Sequence, residues 1–257
     1  MNYFYGLKTD TILSEIQIPK FQNKSSKSEN VFLYELSIKN DLWQINRINE
    51  CETNENFFIL NQKFLDNEKI FFISPEKKNS SLSLKKLENF SDFTETWPAF
   101  RSNLKIFLKN GGFSSYQSEY PFSMIEKKGN ILTPINILLD KNAEKNYLFI
   151  KNIYKEPVIQ NFTGYIVNIK KKIILKKFKL KTNYSNIMLI DNDLIDPENY
   201  LITNKFLGIP MFISINKNHI SFEHTHPPHE YILSKNKFEI IKNLKQEIYE
   251  IINKENS

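Results

Sequence analysis

The chain has 257 residues, of which 40% are hydrophobic and 14% aromatic, and this composition excludes an intrinsically disordered protein. Its net charge is +6, yet among 35 basic residues only Arg47 and Arg101 are arginine. This disfavours a nucleic-acid-binding protein, because base and phosphate recognition favour the arginine fork.

Cys51 is the single cysteine, which excludes an intramolecular disulfide and is typical of a reducing compartment. No apolar run approaches the ~18 residues of a membrane span. The first residues also lack the basic and then apolar order of a signal peptide. We therefore expect a cytoplasmic protein without a membrane span.

The first 75 residues are predicted to form short strands between polar turns. Residues 31–38, 56–60 and 70–73 are rich in aromatic and β-branched side chains. After a polar stretch, residues 84–93 have apolar residues at helical spacing. We divide the chain at residue 90 into two β-rich regions, 1–90 and 91–257, and leave open whether they form one continuous domain.

The middle of the chain contains the clearest hairpin signal. Residues 104–108 and 113–120 flank Asn110-Gly111-Gly112, and Asn-Gly favours the left-handed dihedral angles of a type I′ turn. Residues 135–143 are predicted to be helical. Further strands are expected at residues 147–154, 163–169, 173–180, 187–190, 209–215 and 220–224.

The last predicted element is a helix. Asn236 and Glu239 have the spacing of a capping box. An apolar stripe follows at spacings of three to four residues, consisting of Phe238, Ile241, Leu244, Ile248 and Ile252. The whole pattern predicts a mainly β fold, with sandwich or jelly-roll-like antiparallel sheets and a C-terminal amphipathic α-helix.

All four histidines lie within eleven consecutive positions, at His219, His224, His226 and His229. In a strand, residues i and i+2 point to the same side, so His224 and His226 can direct both imidazoles into one site. With His229 they predict a divalent transition-metal site for Zn, Fe, Mn or Ni. Glu230 is the candidate fourth ligand or general base.

Two alternatives to a metal site remain open for this cluster. The imidazoles could act in acid–base catalysis or bind a ligand without metal. They could also satisfy backbone carbonyls within a polar turn. Glu223 and His219 should face away from His224 if the strand is regular, so neither is a preferred ligand.

The cluster resembles two known metal motifs in part. His224-Thr-His226-Pro227 followed by Ser234 resembles the motif of JAMM-type metalloproteases, but Lys237 stands where they have an aspartate ligand. The spacing of His224, His226 and Glu230 resembles the first cupin motif, but its flanking glycines are absent. These resemblances imply a metal ligand set and identify no family.

A second candidate site surrounds the predicted hairpin. Arg101 is one of only two arginines, and it lies near the aromatic and polar residues Tyr116, Gln117 and Glu119. Such a set can bind a sugar by stacking and hydrogen bonding. The alternative is an ordinary half-buried strand with a salt bridge to Arg101.

The functional hypothesis is a metal-binding protein, and further a metal-dependent enzyme that acts on a small polar or sugar-like substrate. The alternative is a non-catalytic β-sandwich that binds carbohydrate or a protein partner. Arg101, Tyr116, Gln117 and Glu119 are the expected substrate contacts in either case.

Overall fold

The computed structural model describes residues 2–20, 31–75, 82–89, 101–109, 111–127, 129–225 and 232–256. The protein is mainly β, with 49% strand and 12% helix, and its four sheets are arranged as a propeller-like ring of four blades. All pairs of named strands are antiparallel. The predicted mainly β fold with antiparallel sheets and a C-terminal helix is confirmed.

The first two sheets contain strands from the first half of the chain. Sheet I has the order β11 (Glu119–Pro121), β1 (Asn2–Tyr5), β7 (Ile70–Ser74), β3 (Phe32–Lys39), β4 (Leu42–Arg47) and β8 (Leu82–Leu84). Sheet II has the order β10 (Phe113–Tyr116), β9 (Asn103–Leu108), β2 (Ile12–Pro19), β6 (Phe57–Leu60) and β5 (Glu52–Thr53). Strands from both predicted regions therefore share these two sheets.

The other two sheets contain strands from the second half. Sheet III has the order β16 (Ser185–Ile190), β13 (Lys145–Lys151), β18 (Ile209–Asn216) and β19 (His219–His224). Sheet IV has the order β12 (Leu132–Pro134), β17 (Asn199–Thr203), β14 (Asn161–Asn168) and β15 (Ile173–Lys181). In the described part of the chain, the helical elements are α1 (Phe122–Glu126), a 3-10 turn (Asn192–Leu194) and α2 (Lys237–Asn256).

Sheet III is buried on both faces. On one face, Phe149, Met211 and Phe222 belong to the large core cluster shared with sheets I and II. On the other face, Leu148 and Phe212 pack in a second cluster with residues of sheet IV. Because side chains alternate along a strand, a sheet covered on both sides needs near-continuous apolar strands, and β13 and β18 have them.

Helix α2 packs on sheet IV. Ile248, Ile251 and Ile252 are buried in a cluster with residues of sheet IV such as Ile202, and Ile241 and Leu244 are partly buried against it. The predicted stripe is thus confirmed from Ile241 to Ile252, whereas its first member, Phe238, is 67% exposed. Within the described residues, no helix has both the length and the apolar character that crossing a membrane requires.

Two shorter helices predicted from apolar spacing are wrong in the described residues. Residues 85–89 follow β8 without helical structure, and residues 90–93 lie outside the described part of the chain. Residues 135–143 form bends and a turn. There the Asp140 carboxylate accepts a bond from the backbone N–H of Asn142 at 2.8 Å, and the Asp140 carbonyl accepts one from Asn146 Nδ2 at 2.7 Å. These local bonds replace the helical ones.

Candidate functional site

The predicted hairpin is present as β9 and β10, but its second strand is shorter than expected. β10 ends at Tyr116, and β11 begins at Glu119 in a different sheet. The chain therefore changes sheets at Gln117 and Ser118. This change leaves Tyr116 at the end of β10, which is the edge strand of sheet II.

Strand β19 is regular and presents His224 on its inner face. Ile220 and Phe222 are buried, while Ser221 and Glu223 are exposed, so burial alternates along the strand. His224 pairs directly with Met211 of β18. His219 and Glu223 lie on the opposite face, as the alternation predicts.

Strands β10 and β19 approach each other closely at their first residues. The N–H of Gly112 donates to the carbonyl oxygen of Asn218 at 2.7 Å. A Cβ atom on Gly112 would lie 2.7 Å from that oxygen, and one on Gly111 would lie 2.9 Å from the Asn218 Cβ. The glycines are needed for this contact, because a side chain there would separate the two edge strands.

The structure corrects the predicted type I′ turn. Neither Gly111 nor Gly112 has a positive φ angle, and Asn110 lies outside the described residues. These glycines therefore serve the approach of two backbones and not left-handed turn geometry.

Tyr116 and His224 meet at the far end of this strand pair. Their ring centroids are 4.3 Å apart with an interplanar angle of 45°. Tyr116 also packs edge-on against Phe222 at 6.5 Å, and Phe222 stacks with Phe149 at 6.5 Å. One residue from each candidate site is thus in contact, and this aromatic pair rests on the hydrophobic core.

Arg101 and Gln117 lie beside this aromatic pair. Arg101 Nη1 donates to Gln117 Oε1 at 2.6 Å. Burial raises the pKa of Tyr116, and so does the negative charge of Glu223, while the positive charge of Arg101 lowers it. Charges of both signs therefore act on the Tyr116 hydroxyl. We call Tyr116, His224, Arg101 and Gln117 the β10–β19 site.

Glu119 is engaged in the fold. One carboxylate oxygen accepts a bond from the N–H of Ser102 at 2.9 Å, and the other accepts one from Asn2 Nδ2 at 3.3 Å. These bonds connect β11 to β1 and to the residues before β9. The carboxylate of Glu119, one of the four predicted substrate contacts, thus hydrogen-bonds to the surrounding fold.

The predicted metal ligands are only partly described. His226, His229 and Glu230 lie outside the described residues. Among the residues that are described, no group of three or more histidine, cysteine or acidic side chains is arranged to hold a metal ion. Nδ1 of His224 is buried.

Lys151 is an unusual residue that the sequence pattern does not single out. It is 0% exposed, and its Nζ lies 3.3 Å from Ser185 Oγ and 3.4 Å from the carbonyl oxygen of Asn67. Burial lowers the pKa of Lys151 to about 7, against the opposing charges of Asp66 and Glu68. The sequence signal is its spacing: Tyr147, Phe149 and Lys151 are two residues apart along β13, so all three side chains point to the same, inward face of the strand.

No protein-family model, curated protein or solved structure matches this chain. The β10–β19 site combines an aromatic surface, an imidazole, an amide and a guanidinium. Such groups can stack on a ring-shaped molecule, hydrogen-bond its hydroxyls and contact a negative charge.

Proposed function

We propose that the protein binds a small polar or sugar-like molecule at the β10–β19 site. The observation that carries this proposal is the 4.3 Å ring contact between Tyr116 and His224. It brings together two segments that are far apart in sequence, one with a predicted substrate contact and the other with a predicted metal ligand.

The chemistry of the neighbouring groups supports this ligand class. Tyrosine offers a flat surface and a hydroxyl, so it can stack on a sugar ring and hydrogen-bond at its edge. Gln117 and Arg101 supply amide and guanidinium donors next to that surface. The packing of Tyr116 on Phe222 and His224 holds its ring in place before a ligand binds.

Saturation-transfer NMR with a panel of neutral and acidic mono- and oligosaccharides tests the proposal, followed by calorimetry on those that bind. We expect Tyr116→Ala to weaken binding by about tenfold or more, since it removes the stacking surface, and loss of an aromatic stacking partner costs ~1–3 kcal/mol for a nucleic-acid base. Phe113→Ala is the matched control, because Phe113 lies on the same strand, is 65% exposed and is not part of the site.

Two results would contradict the proposal. One is that no member of the panel binds the wild-type protein. The other is that Tyr116→Ala and Phe113→Ala weaken binding equally, because the ligand would then bind elsewhere on the surface.

A second candidate is a metal-dependent enzyme built around the same histidine. It is favoured by the fixed position of His224, whose ring packs against Tyr116 and whose Nδ1 is buried. Interactions that hold a ligating imidazole in place raise metal affinity. In this proposal His226 and His229 complete a Zn, Fe, Mn or Ni site, and Glu230 is a ligand or general base for an activated water.

Elemental analysis of protein purified without chelators tests this second candidate. We expect a near-stoichiometric transition metal in the wild type, and its loss in His224→Ala/His226→Ala. His219→Ala is the control, because His219 is exposed on the opposite face of β19. A wild-type protein that carries no metal, and that gains no thermal stability from any of the four metals, would exclude the metal-dependent enzyme.

We further propose that the protein works in the cytoplasm. The single cysteine supports this setting, since secreted proteins often depend on disulfides. Burial raises the pKa of Cys51, which lowers its reactivity as a thiolate. Imaging of the tagged full chain in its native cell would contradict the assignment if the signal lay outside the cytoplasm.

A further inference from the structure

We infer that the ligand of the β10–β19 site is acidic, and that its carboxylate binds the guanidinium of Arg101. This inference rests on the proposed function and specifies the substrate class: a sugar-like ring that carries a carboxylate, as in a uronic acid. It follows from the position of Arg101, from the charge of its partner and from the shape of its donor group.

The position of Arg101 is fixed next to the aromatic surface. Its Nη1 donates to Gln117 Oε1 at 2.6 Å, and Gln117 directly follows Tyr116. Arg101 as a residue is nevertheless exposed to solvent. A ligand stacked on Tyr116 would therefore have the remaining N–H donors of Arg101 beside it.

The positive charge of Arg101 is not neutralised by a salt bridge within the described residues. Its bonded partner there is a neutral amide. Glu119 is only two residues from Gln117, yet its oxygens bind Ser102 and Asn2. A bound carboxylate would supply the negative charge that the described neighbouring residues do not provide to Arg101.

The donor group of arginine matches a carboxylate in shape. Its planar fork can give two parallel N–H···O bonds, which lysine cannot. The basic residues of the chain are lysines except for Arg101 and Arg47. The guanidinium of Arg47 packs over the Phe32 ring at 4.4 Å. Arg101 is thus the arginine available for a ligand.

The charge near Tyr116 also gives the ligand an orientation. Glu223 lies on the exposed face of β19, and its negative charge acts on the Tyr116 hydroxyl together with the positive charge of Arg101. A carboxylate is attracted towards Arg101 and repelled from Glu223. We therefore place the acidic group over Arg101 and away from Glu223.

The test compares an oligomer of galacturonic acid with the matching galactose oligomer by calorimetry. We expect the acidic probe to bind the wild-type protein more tightly, and Arg101→Gln to weaken it by about tenfold or more, as for loss of a charge-assisted bond. Binding of the neutral probe should weaken much less, because Arg101 then loses hydrogen bonds to neutral hydroxyls and no charge-assisted bond. Arg47→Gln is the matched control, because it changes the net charge equally at a distant position.

Arg101→Lys and the salt dependence of binding complete the experiment. The lysine variant keeps the charge but loses the fork, so we expect an intermediate affinity for the acidic probe. In the wild type, added salt should weaken binding of the acidic probe and leave binding of the neutral probe unaffected. If Arg101→Gln does not fold, a loss of affinity for the acidic probe in Arg101→Lys tests the fork directly, and an unchanged affinity there would contradict it.

The outcomes separate this inference from the proposed function. If the neutral probe binds as tightly as the acidic one and Arg101→Gln changes neither, the acidic ligand is wrong and the site itself stands. If Tyr116→Ala abolishes binding of both probes, the site is supported independently of charge. If neither probe nor any member of the panel binds, both proposals fail.

Discussion

The replacement Lys151→Met should change how the stability of the protein depends on pH. Methionine has a similar unbranched shape but carries no titratable group. Lys151 is fully buried at the end of β13, between Ser185 of sheet III and the loop that contains Asn67. Its pKa falls from 10.5 to about 7 because burial disfavours the charged amine.

The direction of the effect follows from which state binds the proton. Between pH 7 and 10.5 the unfolded Lys151 is protonated while the folded one is largely neutral. Raising the pH in this window therefore favours the folded state, by ~1.4 kcal/mol per pH unit for one proton. Over the whole window the gain is about 5 kcal/mol at most. As the pH falls through 7, the folded protein must bury a charge and this contribution is lost.

Urea denaturation at several pH values between 6 and 10 measures the effect. We expect the free energy of unfolding of the wild type to rise with pH relative to that of Lys151→Met, and the variant to be the more stable protein at pH 6. The titration of groups that both proteins share contributes equally to the two free energies of unfolding, so it cancels in their difference. A difference that stays constant across the range would refute the lowered pKa of Lys151.

Three further replacements test the packing around the site and the fold. Gly112→Ala should lower stability by ~1–3 kcal/mol, because its Cβ would lie 2.7 Å from the Asn218 carbonyl oxygen. Ile248→Ala should cost ~2–5 kcal/mol, because this residue of α2 is fully buried against sheet IV. Asn183→Ala should cost roughly 3 kcal/mol or more, because its side chain bonds three backbone groups and its φ is 53°. Denaturant unfolding measures all three.

Each of these replacements has a control that isolates its cause. Ser115 lies at an exposed position on β10, so Ser115→Ala should change stability little compared with Gly112→Ala. Phe238→Ala removes an exposed residue from the same helix as Ile248. Asn40 is exposed with a φ of 52°, so Asn40→Ala measures the backbone part alone. Equal losses in a variant and its control would show that the assigned contact is not the cause.

Strand alternation predicted much of the secondary structure, since it reports directly on which face of a strand is buried. It predicts the strands at residues 173–180 and 220–224, and it places Glu223 and His219 on the face opposite His224. The arrangement of the sheets in four blades depends on which distant strands pair. An example is β1 with β11, a pairing that no local pattern contains.

The helix predicted at residues 135–143 shows a second reason for failure. Ile135, Leu139 and Ala143 are all buried, as their helical spacing suggests. However, Asp140 bonds nearby backbone and side-chain groups, and the segment turns instead. In this segment the apolar spacing correctly indicates which residues are buried, whereas the local hydrogen bonds determine the backbone conformation.

The sequence predicts the residues of the candidate site as two separate groups. Arg101 and Tyr116 are predicted ligand contacts, and His224 is a predicted metal ligand. Their meeting requires β10 and β19 to lie side by side, which depends on the contact of Gly112 with Asn218. A single sequence contains no measure of that distance, so the joined site could not be predicted from it.

The pairing of β1 with β11 and of β2 with β9 has a consequence for folding during synthesis. These partners are about 90 to 120 residues apart, so the protein has a high contact order and should fold slowly. Until the ribosome has released residues 103–121, β1 and β2 each lack one neighbour and expose an open edge. Such edges are templates for aggregation. A nascent chain stalled before residue 103 is therefore the form that should depend most on chaperones.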